Sequence, residues 1–214
     1  MADADHNQYT SPGIPVPPST DPPDLPVGYR VNDRYLLKSL LYHDARGRGY
    51  RAANLTDSSF AVVTLLPRKL TGADPSAWKK HWEAFRAFTQ LDHPQLERLL
   101  SLETVQGETE ALYAILAAPA EGETLHTHLR GGGRLSAQRV MSVTTAVTRA
   151  LGAIHQAGLV HGDIRTSTVV LSGNIATVRD AGLLTLLIEG SGRTPYAVSA
   201  RSPHFLAPEL IRGE

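Results

Sequence analysis

The apolar residues of this chain change their spacing twice, and that order of periods restricts the fold more than any other feature. From Tyr35 the pattern is strand-like: YLLKSLL, GYRAANL and SFAVVTLL are short apolar runs, with Asp57-Ser58-Ser59 supplying turn chemistry before the last of them. Three consecutive runs of this kind predict an antiparallel meander. Residues 76–90 then take a helical period, with Trp78, Trp82, Phe85 and Phe88 or Thr89 on one face behind a Pro75-Ser76 start. A helix is therefore expected to pack across the sheet. Further strands are expected over 96–102 and 112–117, and AAPAEGET after them has the composition of a loop between two lobes. Val140, Val143, Val147, Leu151 and Ile154 recur at spacings of three and four, which predicts a long amphipathic helix from about Ser136 to Gln156. Beyond Gly158, GLVHGDI, TVVL and ATVRD are too brief for helices and read as short strands or tight turns. No internal repeat is present.

Composition removes several classes of function. With 214 residues and 42% hydrophobic side chains, the chain can bury one large core or two small ones. Lysine plus arginine balances aspartate plus glutamate at 21 each, so no overall field favours nucleic acid or an anionic membrane. The absence of cysteine rules out disulfides, thiolate nucleophiles and cysteine zinc sites. The longest apolar run, Ala111 to Ala118, is far below the ~20 residues that span a bilayer. The N-terminal MADADHNQYT lacks a basic segment followed by an apolar one, so a cytoplasmic protein is expected. Residues 1–26 hold seven of the fourteen prolines and few large apolar side chains, which predicts a flexible or polyproline-like arm. His43, His81, His93, His126 and His128 do not stand at metal-ligand spacings, and no metal is assigned to histidine.

The segment from His161 to Asn174, HGDIRTSTVVLSGN, is followed by Arg179-Asp180-Ala181-Gly182, with seventeen residues from Asp163 to Asp180, and later by Ala207-Pro208-Glu209. IHQAGLV precedes it directly and GETLHTHL lies upstream. Triplets such as HGD are common singly, but in this joint order and spacing the chain resembles the bacterial-type, eukaryotic-like serine/threonine protein kinases from about Tyr29 to Glu214. The resemblance implies an α+β, two-lobed fold: an antiparallel sheet with a helix, then a mainly helical lobe that is incomplete because the match ends just past Glu209. The domain reading is a proline-rich arm at 1–28, an N-terminal lobe at 29–118 and a partial C-terminal lobe at 119–214.

By the same resemblance, phosphoryl transfer from ATP needs a phosphate cradle, a cation, magnesium ligands and a carboxylate to orient the acceptor hydroxyl. Asp163 stands at the carboxylate's position, and Arg165 keeps a cation near the transferring phosphate in a wider, forked shape. Gly162 replaces the arginine that would meet a phosphorylated activation loop. Thr168 stands where an asparagine binds magnesium, and a hydroxyl is a weaker, shorter ligand. Asp180 is the other metal carboxylate, while Ala181 replaces a phenylalanine whose loss leaves a space unless neighbours refill it. In the glycine-rich loop only Gly47 survives of three glycines, and Tyr42 and Asp44 obstruct close approach of phosphate. Thr64 replaces the strand lysine. Its helix partner falls at Ala84, or at Glu83 after a one-residue shift. Ala118, at the boundary between lobes, is a further cofactor-binding candidate.

Losing one preorganised charge-stabilising group costs about 10²–10³ in rate. Thr64 and Thr168 together therefore point to a catalytically impaired, pseudokinase-like module that binds or regulates a protein partner without cofactor. The alternative is an unconventional serine/threonine kinase that uses ATP and Mg²⁺ on a protein hydroxyl, with Arg46, Arg48 or Lys69 replacing the lysine. A remnant without function is a third reading. The impaired reading requires that no basic side chain points into the cleft beside Asp180. Ser191, Thr194, Tyr196, Ser199 and Ser202 are candidate phosphorylation positions in what reads as a polar loop.

Overall fold

The computed structural model describes residues 25–44, 47–66, 75–106 and 111–191, together with Phe205, Ala207 and Pro208. Expectations placed on residues 1–24, Arg46, Lys69, Thr194, Tyr196, Ser199, Ser202 and Glu209 lie outside the described residues.

Strands β1 (Arg30–Val31), β2 (Tyr35–Asp44), β3 (Gly47–Asn54) and β4 (Phe60–Leu65) form the antiparallel meander that the short apolar runs predict. With β5 (Leu99–Gln106) and β6 (Ala111–Ala117) they complete a six-stranded sheet in the order β1-β2-β3-β4-β6-β5. One face buries Leu37, Tyr50, Val63, Leu65 and Leu116. Leu25 joins that cluster at 5% exposure, and the Gly28 amide donates to the Leu37 carbonyl at 2.8 Å. Leu25 and Gly28, in the last residues of the expected arm, thus pack on and bond to the sheet. The strand expected over 96–102 begins later, because Leu96 forms a parallel bridge with Val178 and the Glu97 amide donates to the Val178 carbonyl.

The other face is covered by α1 (Pro75–Phe85), whose aromatic side chains fall inward as their spacing predicts: Trp78, Trp82 and Phe85 are all buried. The last turn tightens into a 3₁₀ stretch, Arg86–Gln90, which carries Phe88 into the same cluster. A second, three-stranded sheet consists of β7 (Glu123–Thr124), β8 (Val169–Ser172) and β9 (Ile175–Val178). Around it lie α2 (Leu125–Arg130) and α3 (Ala137–Gln156). The Ser136 hydroxyl caps α3 by accepting from the Arg139 amide at 3.2 Å, which satisfies one of the orphan donors of the first turn. Val143, Ala150 and Ile154 are the buried positions of α3, whereas Val140 is 46% exposed.

The segment after Gly182 is not the loop that its polar character suggested. It forms α4 (Leu183–Ser191), and Leu183, Leu184, Leu186 and Leu187 are all buried in the cluster built on Trp78, Trp82, Phe85 and Phe88. His81 Nδ1 of α1 lies 3.1 Å from the Glu189 carboxylate of α4. Among the described residues no helix is long and apolar enough to cross a membrane.

Candidate functional site

The cleft beneath the large sheet is backed by the turn Arg179–Gly182, and a second short turn, His161–Thr168, is joined to it. His161 is buried and locks the two turns together. Its Nε2–H donates to the Arg179 carbonyl at 3.1 Å, and its Nδ1 accepts from the Asp163 amide at 3.2 Å. These two bonds require the neutral imidazole, and burial holds its pKa below the ordinary value of 6.5. The unfolded chain therefore takes up a proton near pH 6.5 that the folded chain refuses, and stability present above that pH is lost as pH falls through it. Urea unfolding midpoints are expected to drop between about pH 7.5 and about pH 5.5, and a His161→Gln variant should flatten that drop. An unchanged slope in the variant would exclude His161 as its source.

Asp163 is 7% exposed, and its Oδ2 lies 2.9 Å from Arg165 Nη2. The two candidate catalytic residues are thus brought together as an ion pair. Thr168 is fully buried, and its hydroxyl is engaged within the loop: it donates towards the carbonyls of Asp163 and Arg165 at 2.9 and 3.0 Å and accepts from the Arg165 amide. It holds the turn closed instead of facing the cleft.

Asp180 has φ +63°, a left-handed backbone conformation that few residues other than glycine adopt. Its amide donates to Glu97 Oε2 at 3.2 Å, and its own Oδ2 lies 3.3 Å from Arg179 Nε. Arg179 also places its guanidinium 5.8 Å from the centre of the Tyr42 ring. The requirement that no basic side chain stand beside Asp180 is therefore not met. The cation comes from the neighbouring residue, which sequence reasoning passed over because its direction is set by the backbone of this turn. Behind the turn, the 3₁₀ stretch brings an aromatic ring close: a Cβ on Gly182 would stand 2.3 Å from the Phe88 ring, Ala181 packs against the cluster that contains Phe88, and Phe88 lies 5.2 Å from Phe85.

The upper wall is closed by a contact across the sheet. Tyr42 Oη and Thr64 Oγ1 are 2.6 Å apart, and the Tyr42 ring covers Gly49, where a Cβ would lie 2.2 Å from it. Gly47 is buried with φ +128°, and a Cβ there would meet the Leu65 carbonyl oxygen at 2.0 Å. Close packing of β3 on the end of β4 therefore accounts for this glycine without any ligand. Neither residue offered as the lysine's partner reaches Thr64: Glu83 and Ala84 are exposed, and Glu83 accepts from Arg86 Nε at 3.1 Å. Phe85 faces the cleft instead. At the connection between the halves, the Ala118 amide donates to the Arg98 carbonyl, and Pro119 has no N–H to offer.

Two cavities result. The inner one, between Tyr42, Thr64, Phe85, Glu97, Arg179 and Asp180, measures about 20 Å³, room for roughly one water. The outer one, about 530 Å³, opens past Tyr42 towards Val62, Glu97, Pro119 and Glu121. The groups that the resemblance gives to a magnesium-bound nucleotide are already engaged: both retained carboxylates face an arginine of their own turn, and the Thr168 hydroxyl points into its loop. Arg48, the described candidate for a replacement cation, lines neither cavity.

Comparison with known proteins follows the same geometry. The family described as protein kinase domain matches residues 46–214. Serine/threonine-protein kinase PknB of Mycobacterium leprae is 25% identical over 198 residues, which cover 91% of this chain and 30% of the relative. Probable serine/threonine-protein kinase SCO3848 of Streptomyces coelicolor is 26% identical over 187 residues, 86% of this chain and 28% of the relative. The chain thus spans under a third of the length of these relatives. Among solved structures, the kinase domain of Mycobacterium tuberculosis PknI superposes with a TM-score of 0.65 at 21% identity, covering 75% of this chain and 62% of that one.

Proposed function

This chain belongs to the protein kinase family, and we propose that within it the domain is catalytically impaired and serves as a protein-binding or regulatory module. A cleft without a cation, the original ground for this reading, is not what the structure holds, since Arg179 stands beside Asp180; the reading rests instead on the pairing of the two retained acids, Asp163 with Arg165 at 2.9 Å and Asp180 with Arg179 at 3.3 Å. A carboxylate already facing a guanidinium is a poor base and a poor metal ligand, because proton or metal must displace a charge-assisted contact. The missing strand lysine adds to the deficit. The exposed side chains of Leu129 and Val140 line one groove with Leu125, Leu135 and Val143, an apolar surface that supports a protein as the partner.

The presence of Arg179 in the cleft favours a second reading, in which this arginine supplies the cation that Thr64 cannot. Two measurements separate the readings. Under the first, millimolar ATP with Mg²⁺ leaves the melting temperature unchanged, since stabilisation grows as RT ln(1 + [L]/Kd) and vanishes without binding. Radioactive phosphate also fails to reach a generic protein substrate. Metal-dependent transfer that disappears in Asp163→Asn would overturn the impaired reading.

A further inference from the structure

We propose that Tyr42 is a tethered plug, a side chain that fills the nucleotide cleft from its own upper wall and makes the narrowness of the inner site a built-in property of this chain. The inference deepens the reading of an impaired domain and rests on it. It has its own support in the geometry. Tyr42 and Thr64 are 22 residues apart, yet β2 and β4 both flank β3, so the two side chains meet over Gly49. Only a residue without a side chain leaves room there, since a Cβ at position 49 would overlap the ring. The ring is then held at three points: its face on Gly49, its hydroxyl on Thr64 and the Arg179 guanidinium at 5.8 Å. Three residues that look independent in the sequence form one packed unit, with a bulky residue at 42, a glycine at 49 and a short hydroxyl at 64.

The volumes give the consequence. Tyr42, Val62, Glu97 and Arg179 line both the inner cavity of about 20 Å³ and the outer one of about 530 Å³, so the Tyr42 ring stands with them at the boundary between the two. The outer space is already of the size that small ligands occupy, and removing the tyrosine side chain adds the ring's own volume and opens the way from it to the inner site. Asp180, which lines only the inner cavity, then becomes reachable from the mouth beside Arg179, and an adenine nucleotide is the ligand class to test on grounds of size and of the cationic wall.

The experiment is a fluorescence titration of the whole chain with methylanthraniloyl-ADP, with and without Mg²⁺, for the natural chain, Tyr42→Gly, Tyr42→Leu and Tyr42→Phe. Tyr42→Leu keeps apolar cover on Gly49 while removing the hydroxyl and part of the ring, so the question stays open to test even if Tyr42→Gly fails to fold. Expected are weak, unsaturable binding for the natural chain and for Tyr42→Phe, and a gain of about ten-fold or more in affinity for whichever of the Gly and Leu variants shows a native far-ultraviolet spectrum. Folded Gly and Leu variants that bind no better than the natural chain would sink the plug and leave the impaired reading standing. Tight binding by the natural chain would overturn both.

Discussion

Truncating Trp78 to alanine is expected to remove about 3–5 kcal/mol of unfolding free energy, a large fraction of the ~5–15 kcal/mol that holds a domain together. Trp78 has no exposed surface, lies 6.0 Å from Trp82 in a stacked arrangement and meets Tyr113 edge-on at 5.1 Å. Its neighbours cannot collapse into the vacated space cheaply, because they come from three directions: α1 itself, β6 through Tyr113, and the leucines of α4 in the same cluster. Part of the cost is transfer of the ring to water, and the rest is the cavity left behind. Urea midpoints at constant m-value measure it. A loss below about 1 kcal/mol would mean that the described packing of α1 on the sheet is wrong.

Asp163→Asn is expected to cost about 3 kcal/mol of stability, whatever it does to activity. The substitution leaves Arg165 facing a neutral amide in a site where its side chain is 18% exposed and that of Asp163 only 6%. Breaking a buried pair by removing one partner costs roughly 3–5 kcal/mol, and the lower end applies because Arg165 retains some access to water. Replacing both members should recover most of the loss, since an uncompensated charge no longer remains. The double variant Asp163→Asn/Arg165→Met is therefore expected to lie closer to the natural chain than Asp163→Asn does, and a double-mutant cycle reads the coupling directly. Simple additivity of the two changes would show that the 2.9 Å contact contributes nothing. The result also bears on assays of phosphotransfer, because loss of signal in Asp163→Asn must be separated from partial unfolding.

Much of the fold is written in local periodicity. The β2–β4 meander, the aromatic face of α1 and the capped α3 follow from apolar spacing and a serine at the right offset, all of which act over a few residues. Helix α4 escaped because LLTLLI is apolar at every position but Thr185 and only six residues long, too short a run to show a period by which helix and strand can be told apart, while the serines and threonines beyond it gave the segment its loop-like character. The displaced start of β5 depends on Leu96 bridging to Val178, a contact 82 residues distant that no window of sequence contains. At the site, the turns that carry Asp163, Arg165 and Asp180 were legible from motif spacing, and the structure ties them together through His161. The pairing of the two acids with arginine was not. Arg179 stands beside Asp180 in the chain, yet its direction depends on a left-handed turn, and the meeting of Tyr42 with Thr64 depends on strand register. Likewise the ring close to Gly182 is that of Phe88, a residue that sequence placed only on a helix face.

The burial of α4 sets the energy scale for any rearrangement just after the acidic turn. In a loop at that place, a covalent mark or a docked partner could reposition the backbone for the cost of a few contacts. Here four leucines are anchored among the aromatic rings of α1, so shifting residues 183–187 means opening the helical cover of the sheet itself. A message arriving along this part of the chain would be felt as a change in how firmly the whole upper half stays folded, which makes the segment a keystone more than a lever.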